Sequence, residues 1–224
     1  MVDQALLAKY IYNSNRLDGV HIAFETTLEL IQARPSSLED TVDIPPMTGS
    51  KTFHRHHVLS HADAIDMLPR LAKERVFTQE HVQDLHRALM NGVILSNGEF
   101  RECTLRYRNI PAVPPEDIPR RVKRLLTLMN QGFERARDKV VLAWQVHHEF
   151  IFGHPFIEGN GRLARLLLNV IRMRAGLGLE VIPFGEAERY MKSIAAYGRK
   201  LAELTGQKPV GSHSQSGRLL QPPG

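Results

Sequence analysis

The sequence predicts an all-α fold with one small β-hairpin. Three observations carry that expectation. Apolar residues recur at three- and four-residue spacing through most of the 224-residue chain, glycine and proline fall between the periodic runs, and one stretch alone, residues 96–115, combines a hairpin-type turn with residues suited to extended backbone. A composition of 42% hydrophobic and 24% charged residues is that of an ordinary globular chain, so one main domain with appendages is expected.

Residues 3–33 place Leu6, Leu7, Tyr10 and Ile11, then Phe24, Leu28, Leu30 and Ile31, at mainly helical spacing with Gly19 between the two sets, which predicts an N-terminal helical hairpin. Residues 34–58 carry Pro35, Pro45, Pro46 and Gly49 with little periodicity and read as a long loop. His54, His56 and His57 within it lack a neighbouring cysteine or carboxylate cluster, so a solvated basic loop is expected rather than a metal site. Ser60 is expected to cap a helix through about Glu74, with a kink at Pro69. Thr78 is expected to cap another through about Met90, with Val82, Leu85, Leu89 and Met90 on one face.

Between Ser96 and Pro115 the turn signal Asn97-Gly98 precedes Phe100, Thr104, Leu105, Tyr107 and Ile110, and three prolines close the stretch, so strand is expected here. A basic helix follows over 116–133, ended by Gln131-Gly132, and then a helix from about Arg135 to Phe152 that buries Val140, Ala143, Trp144, His147 and Ile151. The run His147-His148-Glu149 lacks the two histidines four apart around a glutamate that a zinc-protease helix supplies, so packed helical histidines are expected. After the stretch described next, Gly176 and Gly178 make a turn, Ile182-Pro183-Phe184 a linker, and residues 186–203 a last helix. Residues 205–224, rich in Gly, Ser, Pro and Gln, are expected to be disordered.

The chemistry-bearing stretch is His154-Pro155-Phe156-Ile157-Glu158-Gly159-Asn160-Gly161-Arg162-Leu163-Ala164-Arg165. Pro155 cannot extend the preceding helix, and Gly159 and Gly161 allow successive N–H groups to converge on one point. Leu163, Leu166, Leu167, Val170 and Ile171 then predict a helix whose N-terminus faces that turn. Unpaired N–H groups and the helix dipole favour an anion there, and Arg162 and Arg165, three residues apart, reach the same place. Glu158 is suited to a magnesium ion shared with phosphate oxygens. His154 is suited to accept a proton near neutral pH.

This stretch resembles the signature of the Fic family, HPFx[D/E]GNGRxxR, at every specified position. The resemblance spans about residues 5–203. It implies a Fic-type helical bundle that transfers AMP from ATP, with Mg²⁺, to a Ser, Thr or Tyr hydroxyl of a target protein, releasing pyrophosphate. It implies His154 as base, Glu158 as metal ligand, Gly159, Asn160 and Gly161 as the phosphate cradle, Arg162 and Arg165 as the β/γ-phosphate contacts, and Phe156 as a packing anchor of the nucleotide site. Tyr190 falls where an aromatic ring would meet adenine, with core packing as the alternative. Gly98-Glu99-Phe100-Arg101 resembles the entry to the family's flap, a hairpin that registers the target by strand addition through residues such as Leu105.

Ser14-Asn15-Arg16-Leu17-Asp18-Gly19, followed by Phe24-Glu25-Thr26, resembles the family's inhibitory [S/T]xxxE[G/N] helix, with Asp18 in place of the glutamate. Ser14, Asp18 and Gly19 are therefore regulatory candidates, and the shorter aspartate is expected to restrain Arg165 only partly. The implied division is residues 1–33 as a regulatory helical segment, 34–203 as catalytic core and 204–224 as tail. Removal of AMP, transfer of another phosphate-linked group, and a non-catalytic nucleotide sensor are the competing readings. Net charge +5 is accounted for as well by a nucleotide site as by nucleic acid, which is not the expected partner, and a homo-oligomer is left open. A single cysteine, Cys103, with no signal-peptide pattern and no apolar run near membrane-spanning length, points to the cytoplasm and away from a membrane.

Overall fold

A computed structural model describes residues 3–34, 50–107 and 110–205, so the expected tail and most of the 34–58 stretch lie outside the described residues. The elements are α1 (Gln4–Leu17), α2 (Phe24–Gln32), α3 (Ser50–Leu71), α4 (Gln79–Leu89), β1 (Arg106–Tyr107), β2 (Ile110–Pro111), α5 (Ile118–Thr127), α6 (Phe133–Arg135), α7 (Lys139–Gly153), α8 (Asn160–Arg174) and α9 (Ala187–Thr205). The fold is helical, with one two-stranded antiparallel ladder that pairs Arg106 with Pro111 and Tyr107 with Ile110.

Helix α8 is the centre. From Leu163 to Ile171 every residue is buried, as expected of a helix with partners on all sides, and α7, α3, α1 and α4 all pack against it. The N-terminal hairpin is present as expected: Asp3 caps α1 by accepting from Ala5 N and Leu6 N at 3.0 Å, and Gly19, at φ 83°, takes the left-handed conformation that ends it. Leu7, Tyr10, Ile11 and Leu17 of α1 lie in the same hydrophobic core as α8, so this hairpin is built into the bundle. Thr78 caps α4 as expected, its hydroxyl accepting from His81 N while His81 Nδ1 accepts from Thr78 N.

Several expectations are corrected. Residues 50–58 are not loop: α3 starts at Ser50, and its inward face runs His57, Val58, His61, Ala62, Ile65, Leu68, so two histidines fill positions that a hydrophobic pattern does not count. Ser60 is accordingly no cap but a mid-helix residue whose hydroxyl donates to Asn91 O at 2.6 Å, and Pro69 lies in the last turn of α3. The Asn97-Gly98 turn joins no strands, since the ladder starts at Arg106. The basic helix does not end at Gly132 but passes through a wider π turn over Leu128–Gly132 into α6. Asp138 then caps α7, leaving Val140 exposed on its first turn.

Among the described residues, no helix is long and apolar enough to cross a membrane.

Candidate active site

Two helix ends face each other across residues 154–159. Helix α7 stops at Gly153 and His154 takes a left-handed conformation, φ 43°, unusual for a residue with a side chain. The turn is held from outside the motif. Arg101, itself 3% exposed, donates from Nε to His154 O at 2.8 Å and from its backbone N to Pro155 O at 2.9 Å, with its terminal nitrogens on Cys103 O and Val113 O. Arg101 is therefore a buried strut, where the sequence reading had it at a target-docking surface. Phe156 is buried and stacks face to face on His86, centroids 3.7 Å apart.

His154 Nδ1 lies 3.3 Å from Ile151 O. A carbonyl only accepts, so Nδ1 carries the proton and the lone pair sits on Nε2. Burial lowers the imidazole pKa below its usual value, opposed by that carbonyl, which keeps the ring neutral at physiological pH.

Gly159, at φ 76°, caps α8, and Asn160 ties the turn back by accepting from Phe156 N at 3.0 Å and donating to Phe156 O at 2.7 Å. The anion place at this helix N-terminus is filled by Asp18. Its Oδ2 accepts from Arg162 N at 3.0 Å and lies 3.5 Å from Arg162 Nε, while its Oδ1 accepts from Arg165 Nη2 at 2.9 Å. A Cβ on Gly161 would come within 2.4 Å of Asp18 Oδ1, so the glycine leaves the room this carboxylate uses. The aspartate follows the last residue of α1, and one of its oxygens meets Arg162 N while the other meets Arg165 Nη2.

Ser14 completes the grip on Arg165, its hydroxyl accepting from Nε at 2.9 Å and its carbonyl from Nη2 at 2.8 Å. Gly19 stands next to these residues as the helix stop and makes no contact with the arginines that the structure records. Tyr190, nearly buried, offers its hydroxyl to Arg165 Nη1 at 3.2 Å and to His147 Nε2 at 2.8 Å. The Tyr190 hydroxyl thus bridges Arg165 of α8 and His147 of α7. Burial is the largest single effect and works against the charge of Arg165, but the Asp18 carboxylate together with the Tyr190 and Tyr10 hydroxyls outweighs it and the guanidinium pKa is raised.

Glu158 is half exposed, with Oε1 accepting from Gly159 N at 3.1 Å and Arg162 Nη2 at 3.2 Å. No group of three His, Cys, Asp or Glu that could hold a metal occurs among the described residues. One exposed carboxylate beside an anion nest fits magnesium, which takes its remaining oxygens from phosphates and water.

Two residues escaped the sequence reading. His57 Nδ1 lies 2.7 Å from Arg162 Nη1. His86 accepts from Gly98 N at 2.8 Å and lies 3.0 Å from Glu158 O, tying the turn at Gly98 to the motif loop. Only the run of histidines at 54–57 hinted at the first, and nothing local marks the second. Leu105 accepts from Ala112 N at 2.9 Å at the base of the ladder.

A family model described as the Fic/DOC family matches residues 76–171. The protein adenylyltransferase fic-1 of Caenorhabditis elegans is 27% identical over 219 residues, covering 92% of this chain and 39% of the relative. The protein adenylyltransferase Fic of Drosophila ananassae is 30% identical over 185 residues, covering 81% and 35%. Among solved structures, a Fic domain containing signalling protein from Bacteroides thetaiotaomicron superposes with a TM-score of 0.73 at 22% identity, over 87% of this chain and 74% of that one, a likeness of fold. The chain spans less than two fifths of the length of these two curated relatives.

Proposed function

We propose, for a chain that belongs to the Fic/DOC family through residues 76–171, that it is a protein adenylyltransferase restrained by its own N-terminal helix. A hydroxyl oxygen of a target Ser, Thr or Tyr attacks the α-phosphorus of ATP and the bond to pyrophosphate breaks. His154 Nε2 takes the hydroxyl proton. The observation that carries this reading is the carboxylate of Asp18 lying on Arg162 N and Arg165 Nη2 at the α8 N-terminus, because an anion place so furnished suits a phosphate equally well.

Magnesium, held by Glu158, would neutralise charge on the phosphates as pyrophosphate departs. Gly159, Asn160 and Gly161 shape the cradle, and Arg162 and Arg165 orient the phosphates once Asp18 withdraws. On this reading the ladder of β1 and β2 serves as the flap, and a target strand would add along its outer main-chain edge, since the Leu105 carbonyl is taken by Ala112 N. On this reading residues 1–33 act as the regulatory segment and 34–203 as the catalytic unit, and the target is a cytoplasmic protein.

The test is intact-mass spectrometry after incubation with ATP and Mg²⁺, of the wild type and of Asp18→Gly, alone and with cell lysate. A gain of one AMP unit on this protein or on a lysate protein is expected. No gain with either protein, both folded and binding ATP, would overturn transfer in favour of a nucleotide sensor.

A further inference from the structure

Arg162 and Arg165 carry the same charge into the same place, yet they are held differently. Every guanidinium nitrogen of Arg165 has a hydrogen-bond partner in Ser14, Asp18 or Tyr190. In Arg162, Nη1 lies 2.7 Å from His57 Nδ1 and Nη2 is on Glu158, but Nε, fully buried, has no hydrogen-bond partner and stands 3.5 Å from Asp18 Oδ2. An arginine has no acceptor atoms, so the short contact to His57 requires a neutral imidazole that accepts at Nδ1 and carries its proton on Nε2. Burial, with the Arg162 charge beside it, lowers the His57 pKa to about 3, so this state holds across the physiological range. His57 is itself nearly buried in α3 and is backed by the ring of Phe53, centroid 4.2 Å away.

We propose that His57 is the positioning residue for Arg162: by taking Nη1, and with Glu158 on Nη2, it turns the guanidinium so that Nε–H and the backbone N–H of the same residue point together at one phosphate oxygen. Asp18 Oδ2 stands at that point now. Its Oδ1 sits on Arg165, so the two carboxylate oxygens mark where two non-bridging oxygens of one phosphoryl group bind. The inference rests on the reading that a nucleotide phosphate replaces Asp18. Without His57 the long arginine stem is held at one end only, and a neutral acceptor on a charged donor is a strong contact to lose.

The experiment is calorimetric titration of ATP and of pyrophosphate into the full chain carrying Asp18→Gly, with and without His57→Phe, His57→Gln or Arg162→Lys. His57→Phe is expected to weaken both ligands about tenfold or more, the loss of one hydrogen bond to a charged group. His57→Gln, whose amide oxygen can accept from Nη1, should recover most of that affinity, which a simple packing role would not predict. In the Arg162→Lys background His57→Phe should cost nothing further. Equal affinity of His57→Phe and its parent, a glutamine variant as weak as the phenylalanine one, or full additivity with Arg162→Lys each overturns the proposal. Should His57→Phe not fold, the glutamine variant and its cycle with Arg162→Lys decide alone. The measurement needs no AMP transfer, so a chain that binds as described but transfers nothing would count against the proposed function and leave this inference standing.

Discussion

Asp18 and Arg165, 147 residues apart in sequence, meet at 2.9 Å, the guanidinium buried and the carboxylate 16% exposed. The carboxylate comes from the residue after α1 and the guanidinium from the second turn of α8, so a charge pair joins the N-terminal hairpin to the start of α8. If the pair blocks a phosphate, Asp18→Gly should raise the initial rate of AMP incorporation several-fold. Because Asp18 already holds Arg162 N and Arg165 Nη2 in the space that Gly161 leaves, Asp18→Glu should not fall below wild type. A rate for Asp18→Gly equal to wild type would reduce Asp18 to a structural counter-ion.

Removing that counter-ion also has a cost. Arg162 and Arg165 are almost completely buried, and breaking a buried pair from one side costs roughly 3–5 kcal/mol. Asp18→Asn should therefore lower Tm, and pyrophosphate should restore it by binding the native state alone. A melting curve insensitive to pyrophosphate would argue against an anion place here.

Gly161→Ala puts a methyl group where Asp18 Oδ1 lies. The substitution should lower Tm in the wild type and far less in Asp18→Gly, because the clash is with the aspartate. Thermal melts of the two single variants and the double variant give the coupling; additive losses would place the strain in the backbone of α8 instead.

His154→Ala should reduce transfer about 10²–10⁴-fold while ATP affinity stays near wild type, since the proton acceptor is lost and the cradle remains. The neutral ring is the active form and its pKa is lowered, so kcat/KM should hold as pH falls to 6.5 and decline only below it. A midpoint above 6.5 would speak against His154 as the base.

Burial lowers the His86 pKa to about 4 and that of His57 to about 3, against roughly 6.5 in the unfolded chain. The unfolded state therefore binds more protons below pH 6.5. The stability these neutral rings contribute is full above that value and is lost as pH falls through 4 and 3, on the order of 3 kcal/mol for His86. Urea midpoints between pH 7 and 4 should show the fall, and His86→Phe should flatten it.

What the sequence by itself determined is what short-range physics decides. Thr78 caps, Gly19 and Gly159 permit left-handed turns, Pro155 follows a helix end, and the leucines after Arg162 repeat at helical spacing; each acts within a turn or two of itself. The cradle at 154–165 was legible for the same reason, since its donors come from consecutive residues. Only the tertiary structure decided what stands opposite. A polar residue has no periodic signature of burial, so His57 on the inner face of α3 resembled part of a solvated loop. Arg101 read as part of a target-docking flap until three carbonyls and the turn at His154 enclosed it, and nothing near Tyr190 in sequence foretold that its hydroxyl meets Arg165 and His147. Whether Asp18 reaches Arg165 depends on where the end of α1 lies against α8, a distance set by the packing of Leu7, Tyr10 and Ile11 into the common core. Burial and long-range hydrogen bonding are properties of the assembled bundle, and no window of sequence contains both partners.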